Sequence, residues 1–173
     1  MSNIKVTVHT EPFHYIEVRN LWNEQERKEM FDEMLFLENK GIFKPPEETE
    51  TAMNLKTGEV LKNNSGIFID EVWYNRNYSD ILKRNRKLFK LFENEKVKRS
   101  WYFDELGFST DHTLVSYYED ACYYKPHKDK VVVTSVSWFF KEPKKFNGGE
   151  ITFTDYGLTF EVTNDLTLLF PSN

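Results

Sequence analysis

The residues with the most chemical content lie in the run Tyr123-Tyr124-Lys125-Pro126-His127-Lys128-Asp129. In extended backbone, residues two apart project to the same side, so the His127 imidazole and the Asp129 carboxylate can converge on one point. A neutral imidazole and a carboxylate supply two of the three protein contacts of a two-His, one-carboxylate facial triad. That arrangement leaves positions open on Fe(II) for a bidentate co-substrate and dioxygen. Taken alone the triplet is weak, because chance produces it often and an exposed surface turn carries the same residues. The remaining histidines, His9, His14 and His112, all precede it. Cys122 stands beside the segment as the only cysteine, and a single partly buried thiol is usually inert.

Elements must hold this segment in place, and hydropathy patterning predicts them. Phe13 to Val18 is rich in rings and β-branched residues, which suits a strand. Asn23 followed by Glu26 predicts a capped helix with Met30, Phe31, Met34 and Leu35 as its apolar stripe and Gly41 as its stop. Pro45-Pro46 breaks regular structure, and Glu47 to Glu50 reads as a solvated loop. Thr51 to Lys62 predicts a hairpin turning at Lys56-Thr57-Gly58-Glu59, and Ile67 to Asp70 a brief strand. Ser79-Asp80 opens a second helix. Lys83, Arg84, Arg86, Lys87, Lys90, Lys96, Lys98 and Arg99 crowd it and its exit, and are expected to be a solvated face. From Leu114 onward short β-like runs follow one another: 114–118, 131–140, 151–153, 158–162 and 166–170. Within 131–140, alternation sets Val132, Thr134, Val136, Trp138 and Phe140 on one face, which we expect to look inward. Helices first and many strands afterward predict one α+β domain over 1–173, with a helical and hairpin part at 1–113 buttressing an antiparallel sandwich or barrel at 114–173.

The order of motifs carries more than any one of them. A Tyr-bearing strand at Leu114–Tyr118 leads to His127-Lys128-Asp129 and a long β-branched strand. Phe146-Asn147-Gly148-Gly149-Glu150-Ile151-Thr152-Phe153 comes next, then a strand ending Leu169-Phe170-Pro171-Ser172. This succession resembles the prolyl-4-hydroxylase-like branch of the 2-oxoglutarate/Fe(II)-dependent dioxygenases, closely over about residues 114–173 and loosely before them. The resemblance implies a double-stranded β-helix, or jelly roll, and His127 and Asp129 as the first two iron ligands. It implies Tyr117, Tyr124 and Trp138 as lining of the 2-oxoglutarate pocket, Trp138 standing where a tyrosine is often found. It also implies Fe(II), 2-oxoglutarate as co-substrate and ascorbate as reductant, with hydroxylation of an unactivated C–H in a peptide, protein or small molecule. A third metal histidine is expected beyond Asn173, a few residues past the Leu-Phe-Pro-Ser strand. A basic residue for the far carboxylate of 2-oxoglutarate would follow it. We therefore expect the last two strands to be lacking from residues 1–173 and the sandwich to be incomplete at its C-terminal edge. His112 is a weaker substitute for the third ligand. The rival reading is a jelly-roll binding module that has lost its iron.

Bulk composition narrows the classes. Hydrophobic residues make up 39% and aromatics 16%, with fifteen Phe and nine Tyr, as in a packed globular domain and unlike a disordered chain. A net charge of −5 and a pI near 5.5 disfavour a general nucleic-acid binder. No internal disulfide can form, and there is neither a signal-peptide core nor a long apolar run, so the expectation is a soluble cytoplasmic protein off the membrane.

Overall fold

The structure is a computed structural model and describes residues 4–49, 53–54 and 56–172. Its strands are β1 (Lys5–His9), β2 (Tyr15–Arg19), β3 (Ser65–Phe68), β4 (Leu114–Tyr117), β5 (Val133–Ser137), β6 (Ile151–Phe153), β7 (Leu158–Phe160) and β8 (Leu166–Pro171). The helices are α1 (Glu24–Asn39), α2 (Ile69–Val72), α3 (Asp80–Leu91) and α4 (Trp101–Asp104). The α+β class is as expected, and every strand pairing described is antiparallel.

Strands β1-β2-β8-β5 form one sheet in that order, while β3-β4 and β6-β7 pair as two-stranded ribbons. β8 lies inside the sheet, with Leu169 opposite Ile16 on one side and Ser135 on the other. The reason is in its sequence: Leu166 to Phe170 is buried throughout, the pattern of a strand covered on both faces. Leu169 joins Ile16, Val18, Met30, Leu37, Ile81 and Leu82 in a core between the sheet and the helices. Leu166, Leu168 and Phe170 pack on the opposite face with Phe160, Ile151, Phe153 and Leu158 from the β6-β7 ribbon. The sheet is thus layered between helices and a second β element, an arrangement compatible with a β-sandwich. Among the described residues its outer strands are β1 and β5, and β8, the C-terminal strand, lies between β2 and β5. Among the described residues five strands run from Leu114 onward, and they do not close into an eight-stranded roll.

The helical layer follows local signals closely. Asn23 accepts from the Glu26 amide at 2.9 Å while the Glu26 carboxylate accepts from the Asn23 amide at 2.9 Å, a complete capping box. Gly41, at φ +64°, donates to Glu38 O at 2.8 Å, and its left-handed backbone is the stop that glycine permits. Ser79 caps α3 by accepting from the Leu82 amide. The basic run is only partly a solvated face. Lys87 meets Glu26 at 2.5 Å and Arg84 bonds Glu29, so bases of α3 fasten it to acids of α1.

Other expectations differ in detail. β1 was not anticipated, because Lys5-Val6-Thr7-Val8-His9 buries only Val6 fully and so carries little pattern. The strand expected over Ile67–Asp70 ends at Phe68. Asp70 enters a turn of helix where its carboxylate accepts from Thr113 N at 2.7 Å and from Arg76. α4 forms in an aromatic run because Ser100 caps it. β5 is shorter than 131–140, and Val131 and Val132 are exposed. The hairpin over 51–62 is described only in part. Met53 pairs with Val60 and Gly58 turns at φ +70°, whereas Thr51, Ala52 and Leu55 lie outside the described residues, as do Glu50 and Asn173.

Candidate metal centre

The His127 segment is held from below by a stretch distant in sequence. Lys125 N donates to Leu61 O at 2.7 Å, Asn63 N to Tyr123 O at 3.2 Å, and Lys62 and Tyr124 stand opposite each other in an antiparallel bridge. The Asn63 carboxamide also accepts from Tyr123 N at 2.6 Å. Pro126 has no amide to continue this ladder, so the chain leaves it and carries His127 out over the ribbon.

His127 is fixed at three points. Nδ1 lies 2.9 Å from Lys125 O, and because a carbonyl only accepts, Nδ1 must carry the proton. Nε2 lies 3.3 Å from Asp129 Oδ1, an ion pair when the ring is protonated. The ring stacks on Tyr124 with centroids 3.7 Å apart and planes 10° from parallel. Asp129 is steadied at its other oxygen, where Thr134 Oγ1 donates at 2.6 Å. With its single proton committed there, the Thr134 hydroxyl accepts from Ser172 Oγ, also at 2.6 Å. Thr134 shares its face of β5 with Val136, and Val136 and Trp138, just past the strand, pack toward the β6-β7 ribbon. The pair therefore opens on the side of the sheet away from the helices.

Electrostatics follow the geometry. Contact with His127 holds the Asp129 carboxyl below the usual carboxylate range, aided by Thr134 and opposed by burial. At His127, burial disfavours the imidazolium, but Asp129 and the Lys125 carbonyl outweigh it and the pKa is raised. Both side chains remain about a quarter exposed, 25% and 26%, so a solute can reach them.

The donor set suits a metal as far as it goes. Two donors each about 2.1 Å from one ion and at right angles lie about 3 Å apart, close to the 3.3 Å separating Nε2 and Oδ1. A backbone carbonyl on the far imidazole nitrogen is the usual support of a metal-binding histidine. Among the described residues no cluster of three or more His, Cys, Asp or Glu side chains could hold a metal ion. The third ligand expected beyond Asn173 falls outside the described residues, and so does Asn173 itself. His112 is exposed and precedes the opposite end of β4 from the site.

Of the expected pocket residues, only Tyr124 touches this centre. Tyr117 faces the helical layer, with its ring 5.8 Å from Phe43 and its hydroxyl pKa raised by burial and by Glu38 and Glu119. Alternation turns its neighbour Tyr118 the other way, toward Tyr124 and Cys122. Burial of the Tyr118 hydroxyl pushes it up to about 12, although 48% of the residue's surface stays exposed. Trp138 lies on the predicted inward face, but its indole N–H is donated to Gly149 O at 3.0 Å. The sequence reading missed Lys62, which is fully buried with Nζ 5.3 Å from the Tyr124 ring centroid. Nothing local marks it, because its burial depends on pairing with residues sixty positions away.

No family model, curated protein or solved structure matches the chain. Among the described residues no helix is long and apolar enough to cross a membrane.

Proposed function

We propose that this chain carries the iron-binding part of a non-haem Fe(II), 2-oxoglutarate-dependent dioxygenase of the prolyl-4-hydroxylase-like type, acting on a C–H of a peptide or protein. The observation that carries the reading is the His127–Asp129 pair: donors 3.3 Å apart, each steadied from behind, each partly open. In this reading the four-stranded sheet and the β6-β7 ribbon are the two faces of a partial double-stranded β-helix.

Bound at Nε2 and Oδ1, Fe(II) with 2-oxoglutarate, dioxygen and ascorbate would couple decarboxylation of the oxoacid to succinate and CO2 with insertion of oxygen into a C–H bond. The protein's part is orientation. The Lys125 carbonyl fixes the tautomer of the neutral ring so that its lone pair lies at Nε2, Thr134 aims one oxygen of Asp129, and Tyr124 forms a flat wall beside the imidazole. A third protein donor is required beside these two.

The test is anaerobic addition of Fe(II) and 2-oxoglutarate, watched for the visible charge-transfer band of the chelate. Succinate formation on admitting oxygen is then followed by NMR. The reading expects a band that disappears in the His127→Ala, Asp129→Ala double variant. A band of equal intensity in that variant would place the metal elsewhere. No band and no succinate would leave a binding module in which the two residues are an ion pair.

A further inference from the structure

We propose that the outer edge of β1 docks an acidic segment of a partner protein, which adds to the sheet as an extended strand. The site is separate from the metal centre, which is tied to β5 on the other side of the sheet.

In an antiparallel pair, residues alternately turn their N–H and C=O groups toward the partner strand and away from it. Asn20 N donates to Asp165 O at 2.9 Å, on the β8 side of β2. Alternation therefore turns Val18 and Ile16 toward β8, and their partners on β1, Val6 and Val8, away from β2. The contact at the outer side agrees, since Val6 O accepts from Lys96 Nζ at 3.5 Å. β1 thus presents outward-facing backbone groups on which another chain can pair.

Charge selects what pairs there. A cleft of about 310 Å³ lies where β1 meets the helical turn at Val97–Arg99. Lys5, Lys96 and Arg99 border it together with Thr7 and Thr10, and no described carboxylate does. These five side chains are exposed. Among the described residues Lys5 and Arg99 are in no ion pair, whereas the neighbouring Lys98 is held by Glu95 at 2.8 Å. In a chain of net charge −5 this edge is a local reversal of sign. Bases on an edge strand discourage pairing with uncharged or basic chains. A second copy joined through β1 would set the two basic groups against each other. An extended acidic segment satisfies both the backbone and the bases, and the Arg99 guanidinium suits two-pronged bonding to a carboxylate.

The test uses a fluorescent peptide of alternating glutamate and threonine, read by anisotropy against the full chain. It should bind saturably, weaken as salt is raised, and shift the Val6, Thr7 and Val8 amides in NMR spectra of labelled protein. The Lys5→Gln, Arg99→Gln double variant should lose about 10-fold in affinity, with its melting temperature unchanged. Lys28→Gln, which removes an exposed base from α1, should bind as wild type does. Methylating alternate backbone nitrogens of the peptide should abolish binding, because strand pairing needs those N–H groups. Undiminished binding of the methylated peptide, with inorganic phosphate competing, would overturn strand addition and leave only an anion pocket. Equal binding by the double variant, or of a peptide with lysine in place of glutamate, would refute selection by charge. The lysine and methylated peptides put both claims to wild type alone, should the double variant not fold. No binding, or shifts confined to β5, would refute docking at β1.

Discussion

The helical layer and the segment from Tyr118 to Val132 manage their polar groups in opposite ways. In the layer of α1 and α3, caps, charges and apolar side chains all serve closure. Asn23, Glu26 and Ser79 satisfy helix ends, Lys87 and Arg84 lock the two helices, and Met30, Leu37, Ile81 and Leu82 are almost wholly inaccessible. In the segment, regular pairing among the described residues is a short ribbon with Leu61–Asn63. There the ordered polar groups, Nε2 of His127 and Oδ1 of Asp129, face each other at a partly open surface. Rigidity is concentrated in one region so that the other can hold two donors in register without burying them. Stability should therefore be lost by mutation in the first region, and ligand binding by mutation in the second.

The largest separation is expected from truncating the core. Leu82→Ala should cost about 2–5 kcal/mol in denaturant unfolding, because Leu82 is fully buried against α1 and the sheet. His127→Ala should cost less than about 1 kcal/mol, since a partly exposed ion pair contributes little. A comparable loss at both sites would erase the contrast.

Helix ends come next. Ser79→Ala should destabilise by about 1 kcal/mol, with an upper range near 2, since Ser79 is fully buried and its hydroxyl accepts from Leu82 N. Asn23→Ala should cost about as much, and both variants should keep wild-type metal and oxoacid binding. Calorimetric binding curves alongside thermal melts would check each.

Acid sharpens the same contrast. At Glu26, burial works against the carboxylate, but Lys87, the Asn23 amide and Arg84 together hold its pKa below the ordinary 4.5. A carboxyl depressed on folding contributes stability that is present above its unfolded pKa and lost as pH falls through the folded value. Glu26→Gln should therefore lower stability at neutral pH and flatten the loss between pH near 4.5 and the lower folded value. An acid limb of unchanged slope would show that other carboxylates carry it.

What the sequence disclosed follows from the range of the interactions involved. The capping box of α1, the glycine stop at Gly41 and the buried run of β8 are local patterns, and each was readable from neighbouring residues. His127 and Asp129 were readable as a pair because two-residue spacing in extended chain dictates convergence. Tyr117 was expected at the pocket, yet strand parity turns Tyr118 toward Tyr124, and a one-residue offset cannot be resolved without knowing which face of β4 meets the helices. Lys62 was hidden more deeply. Its segment reads as a hairpin arm, and the long-range ladder with Tyr123–Lys125 sets it opposite Tyr124. Asp70 shows the reverse case, where a single carboxylate bonded to Thr113 N ends a strand that its neighbours favour.

The most direct measurement is paramagnetic broadening by Mn(II) of the amide resonances of isotope-labelled protein. The account predicts early, selective loss of signals from Tyr124 to Asp129, Thr134 and Ser172, with the α1 and α3 amides untouched. The same titration of His127→Ala, Asp129→Ala should show no such focus. Uniform broadening over surface carboxylates in both proteins would contradict a metal centre at this pair.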